Sequence, residues 1–428
     1  MSDGVSTRMS ETLLNTFEHA SFRPLQEEII TSILSGKDTV VILPTGSGKS
    51  LCYQLPAVIS TGLTIVFSPL ISLIKDQVDA LRGKNVQSAM INSAENARNV
   101  AYLLSELNSL EFPYKLLYIA PERLKNEEFM RILKSLVHFK KVSFFAIDEA
   151  HCISQWGHDF RSAFRHLNVL KEEFPAIPII ALTATATPAV SEDIISTLKL
   201  SKHNLFKSTF NRPEISYSVI YTEGTPSDVK EDVVYKVASY PKDTNIILYC
   251  FSRKACDNYS EALKSRGLKA DAYHAGLPTK KRTAVQKDWT DGTINIICAT
   301  IAFGMGIDKP NVRAVIHASF STSIEGFYQE SGRAARDGQP AESIVYFSYG
   351  DIGVIRFCLT KMSTTAESLQ KRMQMMENSI SYCKVKTCRR TFLLNYFGEQ
   401  ATPGLCNSTC DNCLKKSDVS TPKRIKLS

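Results

Sequence analysis

Between residues 38 and 200 the chain repeats one pattern: a short apolar run rich in β-branched residues, then a helix-length stretch of mixed polarity. The runs read DTVVILPT, LTIVFSP, KLLYIAP, SFFAIDEA and PIIALTAT. A strand that is apolar at every position has no solvent face, so these runs predict a parallel sheet covered by helices on both sides. The same rhythm returns between residues 245 and 348, in NIILYCFSR, KADAYHAG, INIICAT, VRAVIHAS and ESIVYFSY, and predicts a second α/β unit of similar size. Asn211 to Asp228 carries two prolines and a glycine, so the inter-domain connection is expected just before or within it.

After about Asp351 the pattern turns helical without strands, in VIRFCLTKM, SLQKRMQMMENSISYC and TCRRTFLLNYFGE. A cysteine cluster follows, then a basic tail, and the 15 residues beyond Cys413 are too few for another folded domain. The expected architecture is therefore α/β: two tandem parallel-sheet lobes, 1–208 and 209–350, a small helical module, 351–416, and a disordered basic tail, 417–428.

Composition narrows the class without changing that picture. With 43% hydrophobic and 22% charged residues, the 428-residue chain reads as a soluble globular protein. No apolar run approaches the roughly 18 residues of a membrane span, and MSDGVSTRMS lacks the pattern of a secretion leader, so an intracellular protein is expected. The net charge of +8 tilts toward polyanionic partners. Five of the eleven cysteines fall between Cys383 and Cys413, which in a chain without a leader points to a metal rather than to disulfides.

The chemistry begins at VVILPTGSGKS, a strand running into a glycine-bearing turn that opens a helix. In the loop Pro44 to Ser50 (PTGSGKS), Thr45, Gly46, Ser47 and Gly48 can close backbone N–H groups around phosphates. Lys49 would reach the β and γ phosphates of ATP, and the Ser50 hydroxyl would ligate Mg²⁺. The bland alternative is an ordinary strand-to-helix turn. SFFAIDEAH puts Asp148 and Glu149 at the C-terminal end of an apolar strand, where ligands bind in open α/β sheets. Asp148 would hold Mg²⁺ and Glu149 would polarise the attacking water, although a DE pair can also cap a helix.

The second unit has no lysine or serine in phosphate-loop position, so no second nucleotide is expected. It offers arginines instead: Arg333 and Arg336 stand three apart in YQESGRAARDG and, if that stretch is helical, share one face. Such cations could stabilise γ-phosphate charge, or simply form a solvated basic face. HCISQWGHDFRSAFRH interleaves aromatic and basic residues, a mixture that stacks bases and holds phosphates, with Trp156, His158, Phe160 and Arg161 as the candidates. Trp156, Phe160 and Phe164 also recur at the four-residue spacing of a buried helix face, while Gly157 favours a loop. Cys388, Cys406, Cys410 and Cys413, with 17, 3 and 2 residues between them, can satisfy tetrahedral Zn²⁺. Cys383, five residues before Cys388, lies too far round a helix for both to face one ion easily.

Together these segments resemble a superfamily 2 helicase, and more closely the RecQ family of DNA helicases. The resemblance runs from about Phe17 to Cys413. It is carried by FRPLQEEII, PTGSGKSLCYQLPA, SPLISLIKDQ, YIAPERL, IDEAHCISQWGHDFR, TATAT, AYHAGL, ATIAFGMGIDKPNVR and YQESGRAARDG. It implies two RecA-like lobes and a helical zinc-binding module, and a motor that uses ATP, Mg²⁺ and Zn²⁺ to move 3′ to 5′ on single-stranded DNA and unwind duplex. By the same resemblance Arg23 and Gln26 read adenine, Arg336 is the arginine finger with Arg333 and Gln329 beside it, the Trp156 loop couples DNA binding to hydrolysis, and the cysteine of CRR, Cys388, is the fourth zinc ligand.

Leu43 stands where the general phosphate-loop pattern has its first glycine, a departure that helicases tolerate. From the family itself the chain departs at Glu18 for glycine, at His19 for an aromatic residue, and at Ala335 for the glycine of GRAGRDG, a change that a helix should tolerate. It looks like the short RecQ5-like branch, in which no winged-helix domain follows the zinc module. A monomeric motor, acting in DNA repair, recombination or replication in the nucleus, is the implied setting, with no membrane partner; TPKRIKLS reads equally as an import signal or a solvated tail. Two other readings stay open: a DNA-dependent ATPase acting mainly as a DNA-binding or strand-annealing factor, and an RNA-directed DEAH-type helicase.

Overall fold

The computed structural model describes residues 3–420 apart from 93–94, 224, 305–308, 364 and 403. Most of the glycine-bearing GMGID stretch and the tail from 421 onward therefore lie outside the described residues. The chain divides into two compact units, Met1–Thr209 and Phe210–Ser428.

The first unit is built on strands β1 (Asp38–Ile42), β2 (Leu63–Phe67), β3 (Ser88–Ile91), β4 (Leu116–Ile119), β5 (Val142–Ile147), β6 (Ile179–Thr183) and β7 (His203–Lys207). Their order is β3-β4-β2-β5-β6-β1-β7, and every pairing is parallel. β2, β4 and β6 are buried at every position, as expected of strands covered on both faces. The order places β5, β6 and β1 side by side, so the segments leaving their C-terminal ends, DEAH, TATAT and the phosphate loop, meet at one edge of the sheet.

The second unit contains β8 (Ile215–Tyr221), β9 (Asn245–Tyr249), β10 (Ala270–Tyr273), β11 (Ile296–Ala299), β12 (Val312–His317) and β13 (Ala341–Phe347), parallel throughout in the order β10-β11-β9-β12-β13-β8. Both lobes are RecA-like. β8 lies in the stretch expected to hold the connection between lobes. Ile215, Tyr217 and Val219 alternate inward with the half-buried Ser216 and Ser218, the period of an edge strand.

The outer edge of β8 is covered by the cysteine module. Tyr217 N donates to Thr409 O (3.1 Å) and Val219 N to a carboxylate oxygen of Asp411 (3.2 Å), so an edge that would otherwise be an open template for pairing is closed. The module comprises helices Tyr349–Met362, Ala366–Lys384, Arg389–Tyr396 and Asp411–Ser420. Among the described residues no helix is long and apolar enough to cross a membrane.

Candidate nucleotide, DNA and zinc sites

The phosphate loop leaves β1 and turns through Gly46 (φ 85°) and Gly48 (φ 78°), left-handed conformations that glycine adopts without steric cost. Lys49 Nζ folds back to donate to Leu43 O (3.2 Å) and Pro44 O (3.3 Å). Residues at the start of the helix Gln26–Leu34 and just before it close on the loop. Gln26, buried, donates to Ser47 O (3.3 Å) and Gly48 O (3.1 Å) and accepts from Arg23 N (2.9 Å), while the Arg23 guanidinium donates to Gly46 O. Arg23 and Gln26 thus stand against the phosphate loop, where a nucleotide held by that loop would meet them. Glu18 sits at φ 59°, which explains why glycine suits the position, and pairs with Lys84 at 2.9 Å. His19 is exposed.

Asp148 and Glu149 follow β5. Glu149 is itself left-handed (φ 52°), an unusual state for a side chain with Cβ and one that clusters at functional sites. Burial, and then the charge of Glu149, push the Asp148 carboxyl up to about 7 against the opposing pull of Lys49. Carboxylate and hydroxyl oxygens are the donors that Mg²⁺ takes, so Asp148 and Ser50 are of the right chemistry to hold it. For Glu149, burial opposes ionisation but is outweighed by the hydrogen bond and charge of His151 and by Lys49, so its carboxyl is lowered. His151 Nδ1 lies 3.2 Å from Glu149 Oε2 and 3.0 Å from the Thr183 hydroxyl of TATAT. Thr183 was not singled out from the sequence; only the adjacency of β5 and β6 reveals it.

Beyond Ile153 the chain forms a loop up to the short helix Ser162–Arg165. Trp156 is 57% exposed and Phe160 39%, whereas Phe164 is buried. The four-residue spacing is therefore not one helical face: the first two aromatics point to solvent and only the third joins the core. Gly157 has no room for a side chain, since a Cβ there would lie 2.4 Å from His151 O. The loop folds back so that the His158 ring stacks on His151, centroids 4.6 Å apart and planes at 12°. Arg161 pairs with Asp159 (2.9 Å) and donates to Pro69 O. At the loop's base Asp193 accepts from Ser154 Oγ (2.7 Å) and Gln155 N (3.2 Å), a brace that sequence spacing does not disclose.

In the second unit the expected helical face is not formed. The helix Ile324–Ser331, which carries the half-buried Gln329, stops before the arginines, and Ala335 takes φ 56°. Arg333 is buried and Arg336 half-buried on a turn rather than on one face of a helix. Ala335 likewise is not a methyl added to a helix. It occupies a left-handed position, at a cost of about 1 kcal/mol relative to glycine.

Cys388, Cys406, Cys410 and Cys413 bring their sulfurs within 4.8 Å of one another. Thiolates around tetrahedral Zn²⁺ stand about 3.8 Å apart, so the four fit that ion with modest contraction. Burial opposes ionisation of Cys406, but hydrogen bonds from Thr409 and the neighbouring cysteines outweigh it and bring its thiol down to about 7, toward the thiolate that a metal requires. Cys383 is buried apart from the cluster, and burial pushes its thiol up to about 12.

Three family models match the chain in order: DEAD/DEAH box helicase over residues 23–194, helicase conserved C-terminal domain over 229–338, and RecQ zinc-binding over 349–414. The chain belongs to the RecQ family.

Among its RecQ relatives, it is 43% identical to ATP-dependent DNA helicase Q-like 4B of Arabidopsis thaliana over 93% of this chain and 36% of that protein. It is 40% identical to ATP-dependent DNA helicase Q1 of Pongo abelii over 96% of this chain and 63% of that protein. Helicase SGS1 of Saccharomyces cerevisiae is 41% identical over 99% of this chain and 29% of its own length. The RecQ chain thus spans between about a third and two thirds of these relatives. In fold it resembles the helicase MrfA bound to DNA (TM-score 0.64, 18% identity, 81% of this chain and 51% of that one). It likewise resembles S. cerevisiae Dbp5 bound to RNA and ADP BeF3 (TM-score 0.61, 14% identity, 86% and 97%).

Proposed function

We propose that this RecQ-family chain is an ATP-dependent DNA helicase of the RecQ5-like kind, a monomeric motor that moves 3′ to 5′ on single-stranded DNA and separates duplex. Arg23, Gln26 and Thr45 to Ser50 hold ATP, with Mg²⁺ between the phosphates and Asp148. Glu149 orients and polarises the attacking water. Arg336, with Arg333 and Gln329, meets the developing charge on the γ phosphate, and Trp156, His158, Phe160 and Arg161 engage the strand. Zn²⁺ on the four cysteines holds the helical module together. The relatives' names as DNA helicases support DNA as substrate; a nuclear role in repair, recombination or replication completes the proposed setting.

The observation that carries this reading is the stack of His158 on His151. One ring pair joins the carboxylate placed to activate water to a loop that offers Trp156 and Phe160 to solvent. Bases stacking on that loop can therefore shift the group that sets the Glu149 charge. The test is hydrolysis by the full chain with and without single-stranded DNA or RNA of equal length. DNA is expected to raise kcat by at least about tenfold and RNA to have little effect; stimulation by RNA alone would overturn the assignment.

A further inference from the structure

The turn bearing Arg333 and Arg336 is gripped by one side chain from far away in the sequence. Arg212, almost fully buried, donates through Nη1 to Gly332 O (3.2 Å) and through Nη2 to Ala334 O (2.9 Å) and Ala335 O (3.3 Å), while its Nε pairs with Glu214. The last of these carbonyls belongs to the residue in the left-handed conformation. A guanidinium presents its donors in a rigid plane, so it can hold several carbonyls in a fixed relation where an ammonium cannot.

Arg212 is itself fixed. Its carbonyl accepts from Arg390 Nη1 at 2.6 Å, and Arg390, buried over the Tyr217 ring, also reaches Asn211 Oδ1 (2.9 Å), Ile215 O (2.8 Å) and the Thr409 hydroxyl (2.8 Å). Arg390 lies in the helix Arg389–Tyr396, which Cys388 caps. A continuous set of hydrogen bonds thus runs from the cysteine module through Arg390 and Arg212 to the arginine-bearing turn.

We propose that Arg212 is a positioning residue for hydrolysis: its guanidinium holds the strained turn at Ala335 and so sets the direction in which Arg336 and Arg333 are presented, with Arg390 anchoring it to the cysteine module. The proposal rests on reading Arg336 as the group that meets γ-phosphate charge. Arg212 contributes no atom to the nucleotide. Losing its fork takes a donor from the Gly332 and Ala334 carbonyls and leaves Ala335 O with Gly338 N (3.1 Å), which lets Ala335 relax toward an ordinary conformation and moves both arginines.

The test compares full-length wild type, Arg212→Lys, Arg336→Ala, Ala335→Gly and Arg212→Lys with Ala335→Gly in DNA-stimulated ATP hydrolysis, alongside thermal melting. Arg212→Lys is expected to lower kcat about tenfold or more with KM for ATP and DNA affinity nearly unchanged. Ala335→Gly in that background should restore kcat several-fold, because glycine holds the left-handed turn without help. If Arg336→Ala lowers kcat while Arg212→Lys matches wild type, the positioning role is overturned and the finger reading stands. If Arg336→Ala itself matches wild type, the finger reading falls and takes the proposal with it. A loss in Arg212→Lys that tracks a fall in melting temperature and is not restored by Ala335→Gly would mark Arg212 as merely structural and overturn the proposal.

Discussion

Nδ1 of His151 lies 3.2 Å from Oε2 of Glu149, with both side chains almost wholly enclosed. Burial disfavours charge on each; against it, His151 is the main group that lowers Glu149, while His151 is raised first by the neighbouring Cys152 and then by Glu149. A carboxylate kept ionised in a site without bulk water is what activation of a water molecule requires. The Thr183 hydroxyl fixes the imidazole from the neighbouring strand.

Replacing His151 by Ala should therefore affect both hydrolysis and stability. Glu149 would be left buried and unpaired, a loss of about 3–5 kcal/mol. kcat should fall on the order of 10²-fold, since the carboxylate loses its orientation as well as its partner. Denaturant unfolding and steady-state hydrolysis read the two effects; a variant as stable and active as wild type would show the pair to be incidental.

Trp156 and Phe164 occupy the same spacing but opposite environments. Trp156→Ala should leave the melting temperature within a degree or so while abolishing stimulation of hydrolysis by DNA. Phe164→Ala empties a core position and should cost about 3–5 kcal/mol. If Trp156→Ala destabilises the chain as much as Phe164→Ala does, its ring belongs to the core in solution.

Gly48 is required twice over. A Cβ would lie 2.6 Å from Gln26 Nε2, and φ is 78°. Gly48→Ala should lower stability by about 1 kcal/mol and weaken ATP binding by about tenfold or more, because either the loop or Gln26 must move. Equilibrium binding of ATP to the variant checks this, and unchanged affinity would mean that the loop adjusts freely.

Cys406→Ser should lose zinc and unfold the helical module, whereas Cys383→Ser should retain one zinc per chain. Structural zinc contributes on the order of 10 kcal/mol to small modules, so the contrast should be large. Zinc content by elemental analysis and helicity by circular dichroism decide it. Equal zinc in the two variants would displace the four-cysteine assignment.

Strands buried on both faces were legible because short β-branched runs such as LTIVF and IIALT, recurring between helix-length segments, fit a covered parallel sheet. β7 was missed because HNLFK is polar and partly exposed, and β8 because its serines and flanking prolines look like a linker until β13 and the cysteine module enclose it. The phosphate loop and acid pair were legible for a similar reason, since glycine and paired acids at strand ends are costly without a ligand. The turn at Ala335 was misread because helical spacing of Arg333 and Arg336 says nothing about backbone handedness. Arg212 was invisible because its partners lie about 120 residues away, and only packing brings them together.

The central claim is that hydrolysis at Lys49 and Glu149 drives strand separation. Strand displacement on duplex DNA with a 3′ or a 5′ single-stranded tail, by wild type and Lys49→Ala, tests it most directly. ATP-dependent displacement of the 3′-tailed substrate by wild type, and none by Lys49→Ala, is the expected result. Equal displacement by both proteins, or annealing of complementary strands with no displacement by either, would contradict it.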